Sequence, residues 1–233
     1  MVVAESVPVQ GFDPSSGLVV ATGLAALFAV LVDGLWRWAR GVVTIVHEAG
    51  HATVAVLTGR RLTGIRLHYD TSGLTLSVGK PTGIGMVLTV AAGFLSPSLV
   101  GLAGVGLLAL DQVTVMLWAG AAALVAMLVM VRNAYGALAL PVTSSAVVAV
   151  SLRAPADVQA AFGYTMTWFL LIGAVRPVSE LWRQRRRHPG RRSDADHLDR
   201  LTGIPAAVWV LVFGLTTLAA LGSGGWLLLA STA

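Results

Sequence analysis

The chain has 233 residues, of which 56% are hydrophobic and only 12% are charged, and its mean hydropathy is +0.79. About a quarter of the residues of a soluble domain are charged, so this composition excludes an ordinary soluble enzyme and indicates a multi-span membrane protein. The absence of cysteine excludes disulfides, cysteine-ligated metals and a cysteine nucleophile.

Apolar stretches predict an all-α polytopic membrane protein with about seven transmembrane helices, because each span needs about 20 residues. They follow an N-terminal tail, residues 1–16, and form a single membrane-embedded domain, residues 17–233. The seven stretches are 17–36, 38–57, 83–110, 113–131, 135–152, 158–175 and 204–229.

The second stretch contains the motif HEAGH at residues 47–51. On a helix this spacing places His47 and His51 one turn apart on one face, where both can bind one zinc ion. Glu48 is then placed to take a proton from the water that such an ion activates. Because ionisable groups in an apolar helix are costly, the motif predicts a functional site with Glu48 as the catalytic base.

The segment that follows, residues 61–80, alternates apolar and polar side chains around the turn-forming sequence Asp70-Thr71-Ser72-Gly73. This pattern predicts a β-hairpin. The segment is too short and too polar to cross a bilayer, so we expect a short hairpin at the membrane face directly after the HEAGH helix.

The positive charge is concentrated in residues 183–192, which include six arginines. Nucleic-acid binding is one interpretation of such a run. Between two membrane segments, a basic cytoplasmic loop over residues 177–203 that contacts anionic lipid is favoured, and we expect no nucleic-acid partner. The charge distribution then predicts a cytoplasmic N-terminus, a C-terminus outside and an active site nearer the cytoplasmic side. We expect a multi-pass protein of a bacterial plasma membrane.

A catalytic zinc site needs a third protein ligand besides His47 and His51. The cluster Ser193-Asp194-Ala195-Asp196 enters the last helix from the same membrane face as HEAGH, which makes Asp194 the first candidate and Asp196 the alternative. Ser193 or Asp194 could instead cap a helix, with further acids favourable in its first turn. One aspartate of the cluster could bind the metal ion while another residue of the cluster caps the helix.

Further motifs resemble those of site-2-protease-type intramembrane zinc metalloproteases, and in particular a bacterial and plant M50B-like subgroup. They are AAGFLSPSLVG at 91–101, RNAYG at 132–136 and SDADHLDRLTGIPAAVW at 193–209. The resemblance covers about residues 42–213 and implies a Zn²⁺ cofactor, Asp194 as third ligand and substrate binding by Asn133. Ser96 stands where the subgroup usually has glycine. The LDG-type motif that supplies the aspartate ligand in other branches is absent.

These observations favour an intramembrane zinc endopeptidase that hydrolyses peptide bonds of membrane-protein or peptide substrates. The alternative is a catalytically inactive membrane-embedded relative that acts as a binding or regulatory protein. A metal transporter ranks last, because the sequence lacks paired half-helices in repeated positions.

Overall fold

The computed structural model describes residues 15–68, 72–187 and 193–231, so residues 1–14 of the predicted tail lie outside the described part. The mostly helical fold and the short antiparallel sheet of the prediction are confirmed. The elements in chain order are α1 (Ser16–Leu31), α2 (Asp33–Leu57), β1 (Arg61–Leu67), β2 (Gly73–Val78), α3 (Ile84–Ala109), α4 (Val113–Met130), α5 (Ala134–Arg153), α6 (Ala156–Gly173), α7 (Val175–Arg187), α8 (Asp194–Thr202) and α9 (Ala206–Ala230).

The predicted count of seven spans is not confirmed. Within the described residues, five helices are long and apolar enough to cross a membrane, with α6 and α7 counted as one. A sixth span results if α1 and α2, whose axes meet at 103°, form one broken span. Helix α1 has only 16 residues, and α2 carries charged side chains along its first two-thirds.

Helix α1 runs in the same direction as α6. The Trp168 indole donates a hydrogen bond to the Val19 carbonyl oxygen at 3.1 Å, and the Arg176 side chain donates to the Val30 carbonyl oxygen. The beginnings of α1 and α6 therefore lie toward one end of the bundle, and the arginine-rich α7 lies toward the other. The seven-span prediction had placed the N-terminus and the arginine-rich segment on the same side.

Helices α2 and α3 pack antiparallel at an unusually short distance. A methyl group at Gly50 would lie 1.8 Å from the Ser96 Oγ and 2.8 Å from the Ala92 carbonyl oxygen, so only glycine fits this crossing. About two turns after HEAGH, the Thr58 side chain lies over Gly85 at the start of α3. The glycine inside the HEAGH motif thus fixes the position of the motif against α3.

The hairpin lies beside α2. Ile65 and Leu67 of β1 are buried in a cluster with Ala52 of α2 and Met127 of α4. On β2, Thr75 reaches Glu48, which lies nine residues before the end of α2. The strands thus pack along the HEAGH helix, whereas the sequence predicted a hairpin at the membrane face after it.

Most of the segment predicted as a basic loop, residues 177–203, is helical in α7 and α8. Val178 and Leu181 of α7, and Ala195 and Leu198 of α8, are buried in one apolar cluster with residues of α3 and α9. Because these side chains recur at helical spacing, burying them against the bundle favours helix over loop. Residues 188–192 lie outside the described part.

Candidate metal centre and catalytic cavity

Three potential ligand atoms converge between α2 and the start of α8. The Nε2 atoms of His47 and His51 are 3.1 Å apart, and the Asp194 Oδ2 lies 3.2 Å from the first and 3.3 Å from the second. The His51 Nδ1 is 2.7 Å from the Thr89 carbonyl oxygen. Since a carbonyl only accepts, His51 Nδ1 carries the hydrogen and Nε2 keeps its lone pair toward the other two ligand atoms.

The spacing of these atoms fits a tetrahedral metal ion. Ligand atoms about 2.0–2.1 Å from a tetrahedral zinc ion lie about 3.3 Å from one another. The three observed separations, 3.1–3.3 Å, agree with that value. Two imidazoles and one carboxylate also form a donor set of the kind found in catalytic zinc sites, which keep a further position open.

Helix α3 closes one side of this metal centre through a glycine. A methyl group at Gly93 would lie 2.3 Å from the His51 Nε2 and 2.6 Å from the His47 Nε2. The neighbouring Phe94 ring packs edge-on against His47, with 4.9 Å between ring centroids. Gly93 therefore lets the α3 backbone approach the imidazoles, and Phe94 restricts rotation of one of them.

Local chemistry at the start of α8 distinguishes the two candidate aspartates. Ser193 caps the helix, and the Asp196 Oδ2 accepts hydrogen bonds from the Ser193 backbone N–H at 2.9 Å and hydroxyl at 2.6 Å. The Arg185 side chain also pairs with Asp196. Asp196, the alternative third ligand of the sequence analysis, is thus engaged in a capping box and a salt bridge, whereas Asp194 contacts both histidines.

The pKa of Asp196 agrees with this division. Burial raises the pKa of Asp196, but hydrogen bonds from Ser193 and Arg185 outweigh burial and lower it below its usual value. Asp196 is therefore a carboxylate held at its own helix terminus, and only Asp194 faces the imidazoles.

The rest of the 193–209 motif turns α8 back into α9. Gly203 ends α8 with a φ of 72°, a left-handed conformation that favours glycine. The Asp199 Oδ2 accepts a hydrogen bond from the Ala206 N–H at 3.1 Å, and the Trp209 indole donates to the Thr202 hydroxyl at 3.3 Å. These contacts fix the depth at which α8 begins, and with it the position of Asp194.

Glu48 is only 3% exposed and lies in the same site. Its Oε2 accepts a hydrogen bond of 2.6 Å from the Thr75 hydroxyl on β2, and its side chain packs against Gly73, where a methyl group would lie 2.3 Å from Oε1. Glu48, His47 and Asp194 line one cavity of about 270 Å³. The sequence analysis did not single out Thr75, although it is a polar residue among the alternating leucines of β2.

Residues 20–224 match the Peptidase M50B-like family model. The chain belongs to the Peptidase M50B-like family. No curated protein and no solved structure matches it. The matched range contains the metal centre, the hairpin and α8. Family membership implies a membrane-embedded protease, which is consistent with the two imidazoles, the carboxylate and the buried glutamate of this site.

At the mouth of the cavity, the M50B-like chain carries a polar cluster that joins α2 to α7. The Glu180 carboxylate accepts a hydrogen bond from the Trp36 indole at 3.0 Å and forms salt bridges of 3.3 Å with Arg40 and Arg176. Trp36, Arg40 and Glu180 all line the cavity. The sequence analysis missed Glu180; its one visible signal was that it is the single acidic residue of the arginine-rich α7.

Asn133, predicted to bind substrate, lies against the hairpin of this M50B-like protein. Its Oδ1 accepts a hydrogen bond from the Leu67 N–H at 3.1 Å, and its Nδ2 donates to the Leu67 carbonyl oxygen. The adjacent Arg132 N–H donates to the Ile65 carbonyl oxygen at 2.9 Å. Residues 131–133 therefore cover the outer edge of β1, and the Asn133 side chain holds the hairpin in place.

The opposite edge of the sheet is formed by β2. The backbone N–H and C=O groups of Ile65 and Leu67 point away from β2. In the register of the two strands, Ile65 is opposite Thr75 and Leu67 is opposite Gly73. In an antiparallel pair, residues opposite such positions also direct their N–H and C=O groups outward. No further strand pairs with this edge in the described ranges. The backbone groups of Gly73 and Thr75 are therefore presented beside Glu48.

Proposed function

We propose that the chain is an intramembrane zinc endopeptidase that hydrolyses peptide bonds of membrane-embedded substrates. One observation carries this proposal: the donor atoms of His47, His51 and Asp194 lie within 3.3 Å of one another, and the buried Glu48 lines the same cavity as His47 and Asp194. Family membership supports the peptidase activity. The ligand spacing supports zinc as the ion that these side chains would hold.

The roles of the side chains follow from their positions. When bound, zinc would polarise the scissile carbonyl and lower the pKa of a water molecule. Glu48 takes the proton of the attacking water and delivers it to the leaving amine. The Thr75 hydroxyl fixes Oε2 of that carboxylate, which leaves Oε1, beside Gly73, to carry the proton.

Substrate binding requires an extended segment, because the amides of an intact helix are engaged in their own hydrogen bonds. The outward backbone groups of Gly73 and Thr75 offer such a segment a strand with which to pair. A peptide added there passes directly beside Glu48. Since residues 131–133 cover β1, we assign the substrate to β2 alone.

A cross-linking experiment tests this assignment, and the absence of native cysteine makes it unambiguous. Leu74→Cys on β2 and Arg66→Cys on β1 are matched variants, because these residues are opposite each other in the register. Combined with Glu48→Gln to prevent cleavage, Leu74→Cys should form a disulfide with a cysteine-scanned substrate, and Arg66→Cys should not. Equal cross-linking at both positions would contradict pairing at β2.

Metal analysis of the purified protein tests the ligand set. We expect about one zinc per chain in the wild type. In Asp194→Asn the zinc affinity should fall by more than about tenfold, since changing even a residue that only hydrogen-bonds to a ligand lowers metal affinity by about 10–100-fold. Asp196→Asn is the matched control, two residues along the same helix, and should keep its zinc. Wild-type zinc content in Asp194→Asn would remove Asp194 from the ligand set, and a folded wild type without zinc would favour an inactive relative.

We place the arginine-rich α7 on the cytoplasmic side of a bacterial plasma membrane by the positive-inside rule. With α1 and α2 as one broken span, six spans put both termini outside and leave the site nearer the cytoplasm. This orientation places the N-terminus outside, whereas the seven-span prediction placed it in the cytoplasm. In intact cells, an impermeant maleimide should label Ser16→Cys and spare Arg187→Cys; the reverse pattern would invert the orientation.

A further inference from the structure

Helix α7 carries arginines that form no salt bridge with the described acidic residues. Arg176 pairs with Asp33 and Glu180, and Arg185 pairs with Asp196. In the described part of the chain, Arg183, Arg186 and Arg187 form no salt bridge. The Arg183 guanidinium contacts only the Ser179 carbonyl oxygen and hydroxyl, both at 3.3 Å. The Arg186 guanidinium lies over the Trp182 ring, 4.8 Å from its centroid, so Arg183 and Arg187 are the α7 cations that are available to an anionic ligand.

An apolar groove of about 910 Å³ runs between α7 and α9. The continuous span formed by α6 and α7 is antiparallel to α9, with Leu171 of α6 opposite Gly224 and Val178 of α7 opposite Gly214. Arg183 therefore lies toward the start of α9, where that helix enters the membrane. From Ala207 to Leu218 the groove follows α9 for about 16 Å, at 1.5 Å per residue. Apart from Ser179 and Arg183, its walls are apolar or aromatic, and they include Val175, Val178, Trp182, Leu211, Leu215 and Leu218.

A second, polar concavity of about 390 Å³ adjoins the first at Arg183. It is lined by one face of α7: Arg176, Glu180, Arg183, Gln184 and Arg187. Arg183 lines both the groove and the concavity, so a cationic head site meets an apolar channel at one side chain. Glu180 and Gln184 also line the catalytic cavity, so neighbouring spaces share lining residues along α7.

We propose that α7 and α9 form a binding site for one anionic phospholipid of the surrounding membrane. Its phosphate is bound by Arg183 and Arg187, and one acyl chain occupies the groove. Charge complementarity selects a net negative head group, because a zwitterionic lipid brings its own cation beside the arginines. The apolar groove requires a tail, which free phosphate lacks.

Competitive lipid retention tests this site without using catalysis, so the result is independent of the proposed peptidase activity. The full-length protein is purified in detergent with equimolar phosphatidylglycerol and phosphatidylcholine, and native mass spectrometry counts the lipids that remain bound. We expect retention of phosphatidylglycerol by the wild type, weakened about fivefold for each arginine removed in Arg183→Gln and Arg187→Gln. Arg200→Gln removes an exposed arginine at the end of α8 and should have no effect.

A second variant tests the tail. A methyl group at Gly214 would make an ordinary contact with Val178 at 3.9 Å, and Gly214 lines the groove, so the ring of Gly214→Phe should occupy the groove while both arginines remain. It should reduce phosphatidylglycerol retention and leave the helical circular dichroism unchanged. Three outcomes would overturn the proposal. The first is equal retention of phosphatidylglycerol and phosphatidylcholine. The second is phosphatidylglycerol retention that falls in the arginine variants but not in Gly214→Phe, and the third is displacement of the lipid by a substrate peptide that needs the same groove.

Discussion

Replacement of Glu48 by glutamine is expected to abolish peptide hydrolysis while the metal stays bound. The amide keeps the shape of the side chain, and its oxygen can still accept the hydrogen bond from Thr75. It cannot accept the proton of the attacking water. General-base catalysis contributes about 10²–10⁴-fold, and a loss of that size should appear in the cleavage rate of a membrane-embedded reporter, with zinc content measured on the same sample.

Glu180→Gln is the matched control, because Glu180 lines the same cavity. Its amide oxygen can still accept from the Trp36 indole, and only the ion pairs with Arg40 and Arg176 are lost. We expect this variant to lose less than about tenfold in rate, since such pairs contribute about 1 kcal/mol or less when partly exposed. Near-normal cleavage by Glu48→Gln would exclude Glu48 as the base. Loss of zinc in that variant would assign Glu48 to the metal centre itself.

Gly93→Ala is expected to reduce both zinc binding and cleavage by at least about tenfold. That is the lower end of the loss in metal affinity or activity expected when a residue next to a ligand is changed. The added methyl group would lie 2.3 Å from the His51 Nε2 and 2.6 Å from the His47 Nε2. Withdrawal of α3 would break the close packing of Gly50 against Ala92 and Ser96 at the same crossing. We therefore expect the imidazoles to leave their positions instead. Zinc titration of the apoprotein and the cleavage rate both report this effect.

Gly106→Ala provides the comparison within the same helix. A methyl group at Gly106 meets no atom within 4 Å, so this variant should bind zinc and cleave like the wild type. It also controls for the higher helix propensity of alanine, which favours both variants by about 1 kcal/mol at most. If Gly93→Ala bound zinc as tightly as Gly106→Ala, the close approach of α3 would have no part in holding the imidazoles.

The sequence predicted those features that depend on local spacing. HEAGH on a helix and the alternation of residues 61–80 each require only neighbours in the chain. The choice between Asp194 and Asp196 was left open because both lie in the first turn of one helix. The structure separates their positions: the Asp196 carboxylate bonds back to Ser193, whereas the Asp194 carboxylate contacts both histidines.

The predicted count of seven spans is not confirmed, because hydropathy does not record direction. The break between α1 and α2 falls at Val32, a residue with extended backbone that is followed by Asp33 and Gly34. That α1 runs parallel to α6 depends on a hydrogen bond between residues 19 and 168, which no local pattern encodes. The position of Asn133 on β1 is likewise a tertiary contact between residues 66 positions apart.

The candidate ligand side chains come from α2 and α8, more than 140 residues apart. An ion bound by both helices would act as a cross-link that closes most of the chain into a loop. The entropy lost by the unfolded chain grows with the logarithm of loop length, so a link of this span would restrict it strongly. Binding free energy would then become folding free energy. The ion proposed for hydrolysis would therefore also hold α2 and α8 together, and a chelator would lower thermal stability along with activity.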